Sequence, residues 1–378
     1  MTREQASQLF ADMLALMHTH RASDLFITAD FPPALKIDGV ITKASPQSLS
    51  SEHTAVLART LMTERQFGEF ERTKECNFAL APAGLGRFRV SAFVQLGKIG
   101  MVLRSIPTTP PTIDELQLPS ALKEVSMNKR GLCIMVGTPG SGKSTTLAAM
   151  LDWRNSHSFG HIVTIEDPVE FVHPHKNCIV TQREVGLDTE SWESGLRNCL
   201  RQAPDVIVFG ELRDRHTMEL VLDFAETGHF CIATLHANST NQAMDRIINF
   251  FPDTRRPKVL HDLSLNLRAM VSQRLLPNAK GKGRVAAVEI LLASPMIAAL
   301  IKKGEVEEVK EIMKKSTANG MQTFDQALFQ LHQKGLISYE DAMRNADSTN
   351  DLRLEIKLRG KDEGATRLDA GTQGLVIV

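Results

Sequence analysis

The chain has 378 residues, and its 44 basic side chains (Lys and Arg) balance 44 acidic ones (Asp and Glu), so the formal net charge is zero. This length suggests about two or three domains. The neutral charge excludes a global electrostatic field that would draw the protein to nucleic acid or acidic lipid. The five scattered cysteines include no C-x-x-C pair, so neither a disulfide framework nor a zinc site is indicated, and a reducing compartment fits.

The N-terminal residues lack a basic start followed by an apolar core, which predicts no signal peptide. No apolar run approaches the roughly 18 residues that a membrane span needs. We therefore expect a cytoplasmic protein that contacts a membrane complex only through partners.

Residues 1–106 show the pattern of a small α+β domain. Helical spacing of apolar residues predicts helices over 2–20 and 52–72. Short apolar runs bounded by turn residues predict strands near 24–28, 34–38, 78–80, 86–93 and 100–106. Such a unit has an ordinary domain size of about 100 residues.

A proline-rich stretch ends this domain. Residues 107–112 read Pro-Thr-Thr-Pro-Pro-Thr, and prolines at this density continue neither a helix nor a central strand. We place a linker at 107–117, a second domain at 118–346 and a flexible tail at 347–378.

A phosphate-binding pattern lies early in the second domain. Residues 137–144 fit G-x-x-x-x-G-K-[ST], after a continuously apolar run and before a run of helix formers. In this motif Lys143 reaches the β and γ phosphates and the Ser144 hydroxyl binds Mg²⁺. The alternative is a flexible glycine loop with a chance lysine. The predicted nucleotide-binding residues are Gly137, Thr138, Pro139, Gly140, Ser141, Gly142, Lys143, Ser144 and Thr145.

Three further apolar runs, at 161–165, 206–209 and 230–235, share the strand layout of the first. The polar residues Glu166, Glu211 and His236 follow them. Ligands of open α/β sheets bind outside the carboxyl ends of the strands. The polar residues that follow these four strands are therefore expected at one edge of the sheet. We predict ATP and Mg²⁺ there.

The chain beyond these strands reads as helical. Leu260, Leu263, Leu267, Met270, Val271 and Leu275 have helical spacing and predict a core-facing helix. Further helices are expected near 294–303, 305–316, 321–335 and 338–346.

Two glutamates are the candidate acids for phosphoryl transfer. The usual metal-side acid follows four apolar residues directly, whereas Glu211 comes one place later after 206–209; we assign it to the Mg²⁺ shell through water. Glu166 is the first residue after its strand and is the candidate for orienting or deprotonating the attacking water, with Asp167 as support. The alternative for Asp167 and Glu170 is a solvated turn acid.

Histidines and arginines are weaker candidates. His229 and His236 bracket one strand, and either is a phosphate sensor or a structurally satisfied histidine. Arg87 and Arg89 alternate along one strand, with Arg104 on a neighbouring strand. Guanidinium groups suit phosphate oxygens, and the alternative is a solvated basic sheet face.

With these residues in place, the chain resembles the secretion ATPases and, within them, the PilT/PilU retraction motors of type IV pili. Four family motifs stand in order: GTPGSGKST (137–145), TIEDPVE (164–170), VFGELRD (208–214) and TGHFCIATLHA (227–237). The resemblance implies a PAS-like N-terminal domain, a RecA-like C-terminal domain and a homo-hexameric ring. It also implies that Glu166 is the catalytic glutamate, Glu211 the metal-side glutamate, and that first-domain arginines reach nucleotide when the ring closes.

Within the family the chain is most similar to the accessory PilU branch. CNFA (76–79), TQREVGLDT (181–189) and DLRLEIKL (351–358) carry this likeness, and 296–303 lacks the arginines and glutamate of the PilT-type AIRNLIRE stretch. The implied partners are a sister PilT-type ATPase and an inner-membrane platform protein.

Three functions follow. An ATP-hydrolysing mechanical ring is the leading one. A nucleotide-gated scaffold with little turnover is the second. The third, a nucleic-acid motor, is disfavoured by the neutral charge and by only 5% aromatic residues.

Overall fold

The computed structural model describes residues 1–359, which belong to two compact units. The first unit comprises Met1–Pro110, Asp167–Pro174 and Gln182–Ser194. The second comprises Pro111–Glu166, His175–Thr181 and the chain from Gly195 onward. Two short segments that the sequence analysis assigned to the second domain therefore belong to the first unit, because contacts between distant segments leave no local pattern in the sequence.

The helices are α1 (Arg3–Thr19), α2 (Ser51–Leu61), α3 (Glu64–Thr73), α4 (Ala121–Ser126), α5 (Lys143–His157), α6 (Trp192–Cys199), α7 (Arg215–Glu226), α8 (Thr240–Asn249), α9 (Arg256–Asn266), α10 (Pro295–Lys303), α11 (Val306–Lys315), α12 (Phe324–Gln333), α13 (Tyr339–Asn345) and α14 (Thr349–Arg359). None of those within residues 1–359 combines the length and apolar composition that a bilayer crossing needs.

The strands are β1 (Asp24–Ile27), β2 (Ala34–Ile37), β3 (Val40–Lys43), β4 (Glu75–Leu80), β5 (Arg87–Gln95), β6 (Lys98–Ile106), β7 (Gly131–Val136), β8 (Gly160–Glu166), β9 (Cys178–Glu184), β10 (Val206–Phe209), β11 (Phe230–Leu235), β12 (Leu267–Pro277) and β13 (Arg284–Leu292).

The first unit is built on an antiparallel sheet of order β3-β2-β1-β6-β5-β4. Its core includes Leu14, Leu57 and Phe88. The single helix predicted over 52–72 is two helices, because Thr63 caps α3. The Thr63 hydroxyl accepts from the Gln66 backbone N–H, and the Gln66 side chain accepts from the Thr63 N–H.

The second unit is built on a sheet of order β13-β12-β7-β11-β10-β8-β9. Each pair of neighbours in the run β12-β7-β11-β10-β8 is parallel. β13 pairs antiparallel with the other side of β12. The carboxyl ends of β7, β11, β10 and β8 therefore meet at one edge, as predicted. Parallel strands buried on both faces explain the continuous apolar runs of the sequence.

The helix predicted from Leu260 to Leu275 is wrong beyond Asn266. There the chain becomes β12, which pairs with β7 on one side and with β13, a strand that was not predicted, on the other. Ala269, Met270, Val271 and Ser272 are all fully buried, so β12 lacks the polar and apolar alternation that would have identified a strand.

The polar segment predicted as a flexible tail from residue 347 also differs from the structure. Residues Thr349–Arg359 form α14, whose Leu352 is buried. The remainder of the predicted tail, 360–378, lies outside the described residues.

Candidate nucleotide-binding site

The predicted phosphate loop follows β7 and leads into α5, which begins at Lys143. Gly137, Gly140 and Gly142 have φ angles of +154°, +77° and +87°, which side chains disfavour. A Cβ atom at Gly137 would also lie 2.4 Å from the hydroxyl oxygen of Ser141, so this position has no room for a side chain. The glycine spacing of the motif is therefore a requirement of this backbone.

The Lys143 side chain folds back onto the loop. Its Nζ donates to the carbonyl oxygens of Gly137 (2.7 Å) and Thr138 (3.0 Å) and lies 3.5 Å from Nδ1 of His236. The residue is 7% exposed. A buried ammonium group beside a helix N-terminus attracts anions strongly, because the helix dipole adds partial positive charge there.

A cavity of about 590 Å³ opens beside the loop, within the size range of ligand sites. Loop residues 138–141 line it together with Arg274, Arg284 and Arg344. Arg274 pairs with Asp347 at 2.9 Å, whereas Arg284 and Arg344 form no ion pair within residues 1–359. The buried hydroxyl of Ser141 also has no hydrogen-bond partner in that range. These groups suit an anionic ligand, and no sequence motif marks the three arginines.

His236 and Glu211 come together at the carboxyl ends of β11 and β10. The imidazole Nε2 lies 3.3 Å from Glu211 Oε1, and Nδ1 lies 3.2 Å from the Gly137 carbonyl oxygen. The other oxygen of Glu211 accepts from Arg213 Nε at 2.7 Å. Thr234 stabilises the same edge by donating its hydroxyl to the Gly210 carbonyl. The structure thus connects the loop, the sensor candidate and the metal-side candidate.

Glu166 lies on the strand next to that of Glu211. It is the last residue of β8, and Ile165 before it pairs with Phe209 of β10. The Thr164 hydroxyl donates to Glu166 Oε1. Because β8 is three strand positions from β7, its end lies about 14 Å across the sheet from that of β7 at the usual strand spacing. Asp167 and Glu170 are exposed.

His229 lies at the other edge of the sheet. It precedes β11, its carbonyl accepts from the N–H of Gly131 at the start of β7, and its Nδ1 lies 3.2 Å from the Phe224 carbonyl oxygen. Gly131 and the phosphate loop are at opposite ends of β7, so the structure does not bring His229 to the phosphate loop of the same chain. A strand between two histidines places them at opposite sheet edges, which the motif pattern did not reveal.

The three arginine candidates share one face of the first unit's sheet. Arg89 lies directly opposite Arg104 in the β5–β6 register, and Arg87 lies two residues along β5. Arg104 Nε donates to Oδ1 of the buried Asp24 at 2.8 Å. Arg87 Nε is buried without a hydrogen-bond partner among the described residues. Arg104 therefore forms an ion pair within the first unit, whereas Arg87 and Arg89 form none among the described residues.

Gln273 contacts the loop and was not singled out by the sequence analysis. Its Nε2 donates to the Ser141 carbonyl at 2.8 Å, and its Oε1 accepts from the Thr146 hydroxyl at 2.7 Å. The only sequence signal was a polar residue within an apolar run, and the helix predicted there concealed its position.

Ser144 and Glu211 have the oxygen atoms that Mg²⁺ prefers, and this ion usually takes one or two carboxylates together with phosphates and waters. Both carboxylate oxygens of Glu211 already have partners, Arg213 and His236. This arrangement fits contact with magnesium through water.

The chain is similar to known proteins along most of its length. The family described as "Type II/IV secretion system protein" matches residues 5–344. The chain is 56% identical to the type IV pilus ATPase PilU of Pseudomonas aeruginosa over 97% of the chain and 96% of that protein. It is 41% identical to the pilus retraction ATPase PilT of the same organism, over 89% of the chain and 97% of that protein.

Solved structures extend the likeness to the fold. A crystal structure of the pilus retraction motor PilT with bound ADP superimposes with a TM-score of 0.83 at 39% identity, covering 90% of this chain and 98% of that one. The predicted fold class, a PAS-like α+β N-terminal domain joined to a RecA-like C-terminal domain, is confirmed by this match.

Proposed function

Because the chain belongs to the type II/IV secretion system protein family, among its pilus retraction ATPases of the PilT/PilU group, we propose that it hydrolyses ATP to drive or assist retraction of type IV pili. The PilU-like variant of this role is the one that the 56% identity favours. The nucleotide occupies the loop at 137–145.

The observation that carries this proposal is the set of contacts around His236. One imidazole connects the Gly137 carbonyl of the phosphate loop with the carboxylate of Glu211, while the ammonium group of Lys143 lies 3.5 Å away. A solvated glycine loop would not need a histidine that contacts both a buried lysine and a carboxylate.

The residues have separate roles in this proposal. The loop N–H groups and the α5 N-terminus hold the phosphates, and Lys143 exchanges its loop carbonyls for β and γ phosphate oxygens. Ser144 and, through water, Glu211 would hold magnesium, which would supply positive charge against the phosphates. Glu166 orients the attacking water and accepts its proton. His236 senses the phosphate, and arginines of the first unit supply positive charge to the transition state.

The assembly is part of the proposal. We infer a homo-hexamer at the cytoplasmic face of the inner membrane, where a platform protein and a sister PilT-type ATPase are its partners. No nucleic acid is involved. Support for this comes from the pilus roles that the relatives' names state.

The second candidate is a nucleotide-gated scaffold with little turnover, in which the contacts of Glu211 with His236 and Arg213 would hold this edge of the sheet together without hydrolysis. Steady-state ATPase activity of the purified full chain separates the two. We expect Mg²⁺-dependent turnover that Lys143→Ala abolishes, whereas the surface change Lys258→Ala leaves it unaltered. Tight ADP binding without turnover would favour the scaffold, and equal activity in Lys143→Ala would exclude this site.

A further inference from the structure

Gln273 holds the phosphate loop from the neighbouring strand. It lies near the middle of β12, next to Ser272, which pairs with Val136 at the carboxyl end of β7. Its side chain is 2% exposed and uses both ends of the amide, with Nε2 bonded to the Ser141 carbonyl and Oε1 to the Thr146 hydroxyl. Since a carbonyl oxygen only accepts, the amide orientation is determined by Ser141.

Gln273 fits against the loop because two loop positions are glycines without side chains. A Cβ atom at Gly137 would lie 2.8 Å from the Gln273 carbonyl oxygen, and one at Gly142 would lie 2.6 Å from its Nε2. Side chains at either position would therefore collide with Gln273. The loop packs closely against both the backbone and the side chain of this residue.

The hydrogen bond to Ser141 determines the direction of one loop peptide. In a trans peptide the carbonyl and the following N–H point in opposite directions. With the Ser141 carbonyl turned to Gln273, the N–H of Gly142 points away from Gln273. A phosphate loop binds anions through such oriented N–H groups.

We propose that Gln273 is a positioning residue for the nucleotide: through Ser141 and Thr146 it keeps the loop backbone in its phosphate-binding conformation before the ligand arrives. Preorganisation lowers the ordering cost of binding, so the loss of Gln273 weakens nucleotide affinity more than it slows the chemical step. This inference rests on the proposed nucleotide site.

The test uses the full chain and a fluorescently labelled ADP. Gln273→Met keeps the side-chain volume and removes both hydrogen bonds. We expect about tenfold weaker ADP binding, because the Ser141 carbonyl loses the buried hydrogen bond that orients the loop. The KM for ATP should rise by a similar factor while kcat changes by less than about threefold. Thr146→Val removes only the Oε1 bond and should have a smaller effect.

Ser272→Ala is the matched control, because Ser272 is fully buried on the same strand and its hydroxyl has no hydrogen-bond partner among the described residues. Gln273→Asn keeps an amide that is one methylene too short, and serves if Gln273→Met does not fold. A folded Gln273 variant that binds ADP as tightly as Ser272→Ala would overturn the proposal. Wild-type protein that binds ADP but does not hydrolyse ATP would count against the proposed motor and leave this comparison intact.

Discussion

The imidazole of His236 lies between the phosphate loop and Glu211, with Nε2 3.3 Å from the carboxylate and Nδ1 3.2 Å from the Gly137 carbonyl oxygen. Both of these partners are acceptors when Glu211 is ionised. The ammonium group of Lys143, which is a donor, also lies 3.5 Å from Nδ1. His236 therefore connects the loop and its lysine with Glu211.

His236→Gln should lower kcat by about 10- to 100-fold, because it removes the imidazole that contacts the Glu211 carboxylate and connects it to the loop. Steady-state ATPase kinetics measure this. His229→Gln is the matched control at the other end of the same strand, and should leave kcat within about twofold. Equal losses in the two variants would show that His229 also acts in turnover, although it lies at the opposite sheet edge from the phosphate loop of its own chain.

Glu211→Gln and Glu166→Gln should differ in their response to magnesium. Glu211→Gln should raise the Mg²⁺ concentration for half-maximal turnover by about tenfold, as expected for a group acting around the metal. Glu166→Gln should lower kcat by roughly 10²-fold or more at saturating Mg²⁺, since a general base would be lost. Magnesium titrations of ATPase activity measure both effects, with the exposed Glu170→Gln as control. Full rescue of Glu166→Gln by magnesium would be incompatible with its role.

Arg104→Ala should lower the stability of the protein, whereas Arg89→Ala should lower its ATPase activity. Arg104 pairs with Asp24, which is 3% exposed, but the arginine side chain itself is 70% exposed. We therefore expect a loss of only about 1 kcal/mol in the free energy of unfolding. Arg89 forms no ion pair in the described part of the chain, so Arg89→Ala should leave stability nearly unchanged and reduce turnover. Denaturant unfolding measures the stability of each variant, and ATPase assays measure its turnover. Undiminished turnover in Arg89→Ala would show that Arg89 does not act in the site.

Glu289 should make stability depend on pH. Its carboxyl group on β13 is fully buried, and burial raises its pKa above the usual 4.5 despite the hydrogen bond from the Thr240 backbone and the nearby Lys310. A raised folded-state pKa contributes stability that is present below the unfolded pKa and is lost as pH rises through the folded one. Glu289→Gln cannot ionise, so its stability relative to wild type should improve as pH rises from 4.5.

Thermal unfolding of both proteins at several pH values measures this difference, with the exposed Glu71→Gln as control. A constant gap between wild type and Glu289→Gln across the range would show that Glu289 does not titrate differently in the folded state.

The thiol of Cys133 should be inert in the folded protein. Complete burial in β7 raises its pKa to about 12, and the thiolate is the reactive form. Iodoacetamide at mildly alkaline pH should leave Cys133 unmodified in native protein and alkylate it after unfolding in guanidinium chloride. Mass spectrometry of the tryptic peptides measures the alkylation of Cys133. Rapid alkylation in the native protein would show that β7 opens.

Long apolar segments with clear ends were predictable, whereas pairing partners were not. The strands β7, β8, β10 and β11 were recognised from their apolar runs, and their common edge followed from the rule for parallel sheets. The apolar residues of β12 also fit helical spacing and so predict a helix, and only the pairing with β7 and β13 distinguishes the two. The split between α2 and α3 depended on a cap at Thr63 inside an otherwise continuous amphipathic pattern.

The strand, glycine turn and helix around Lys143 were predictable from the sequence alone, because they obey conformational preferences of adjacent residues. The sequence also placed Glu166, Glu211 and His236 after strands that share one edge. Three contacts could be seen only in the folded chain: His236 contacts Glu211, His229 lies at the opposite edge, and Gln273, 132 residues from Ser141, hydrogen-bonds the loop. Such contacts depend on strand order and register between distant segments, and these arise from packing the whole sheet rather than from any local pattern.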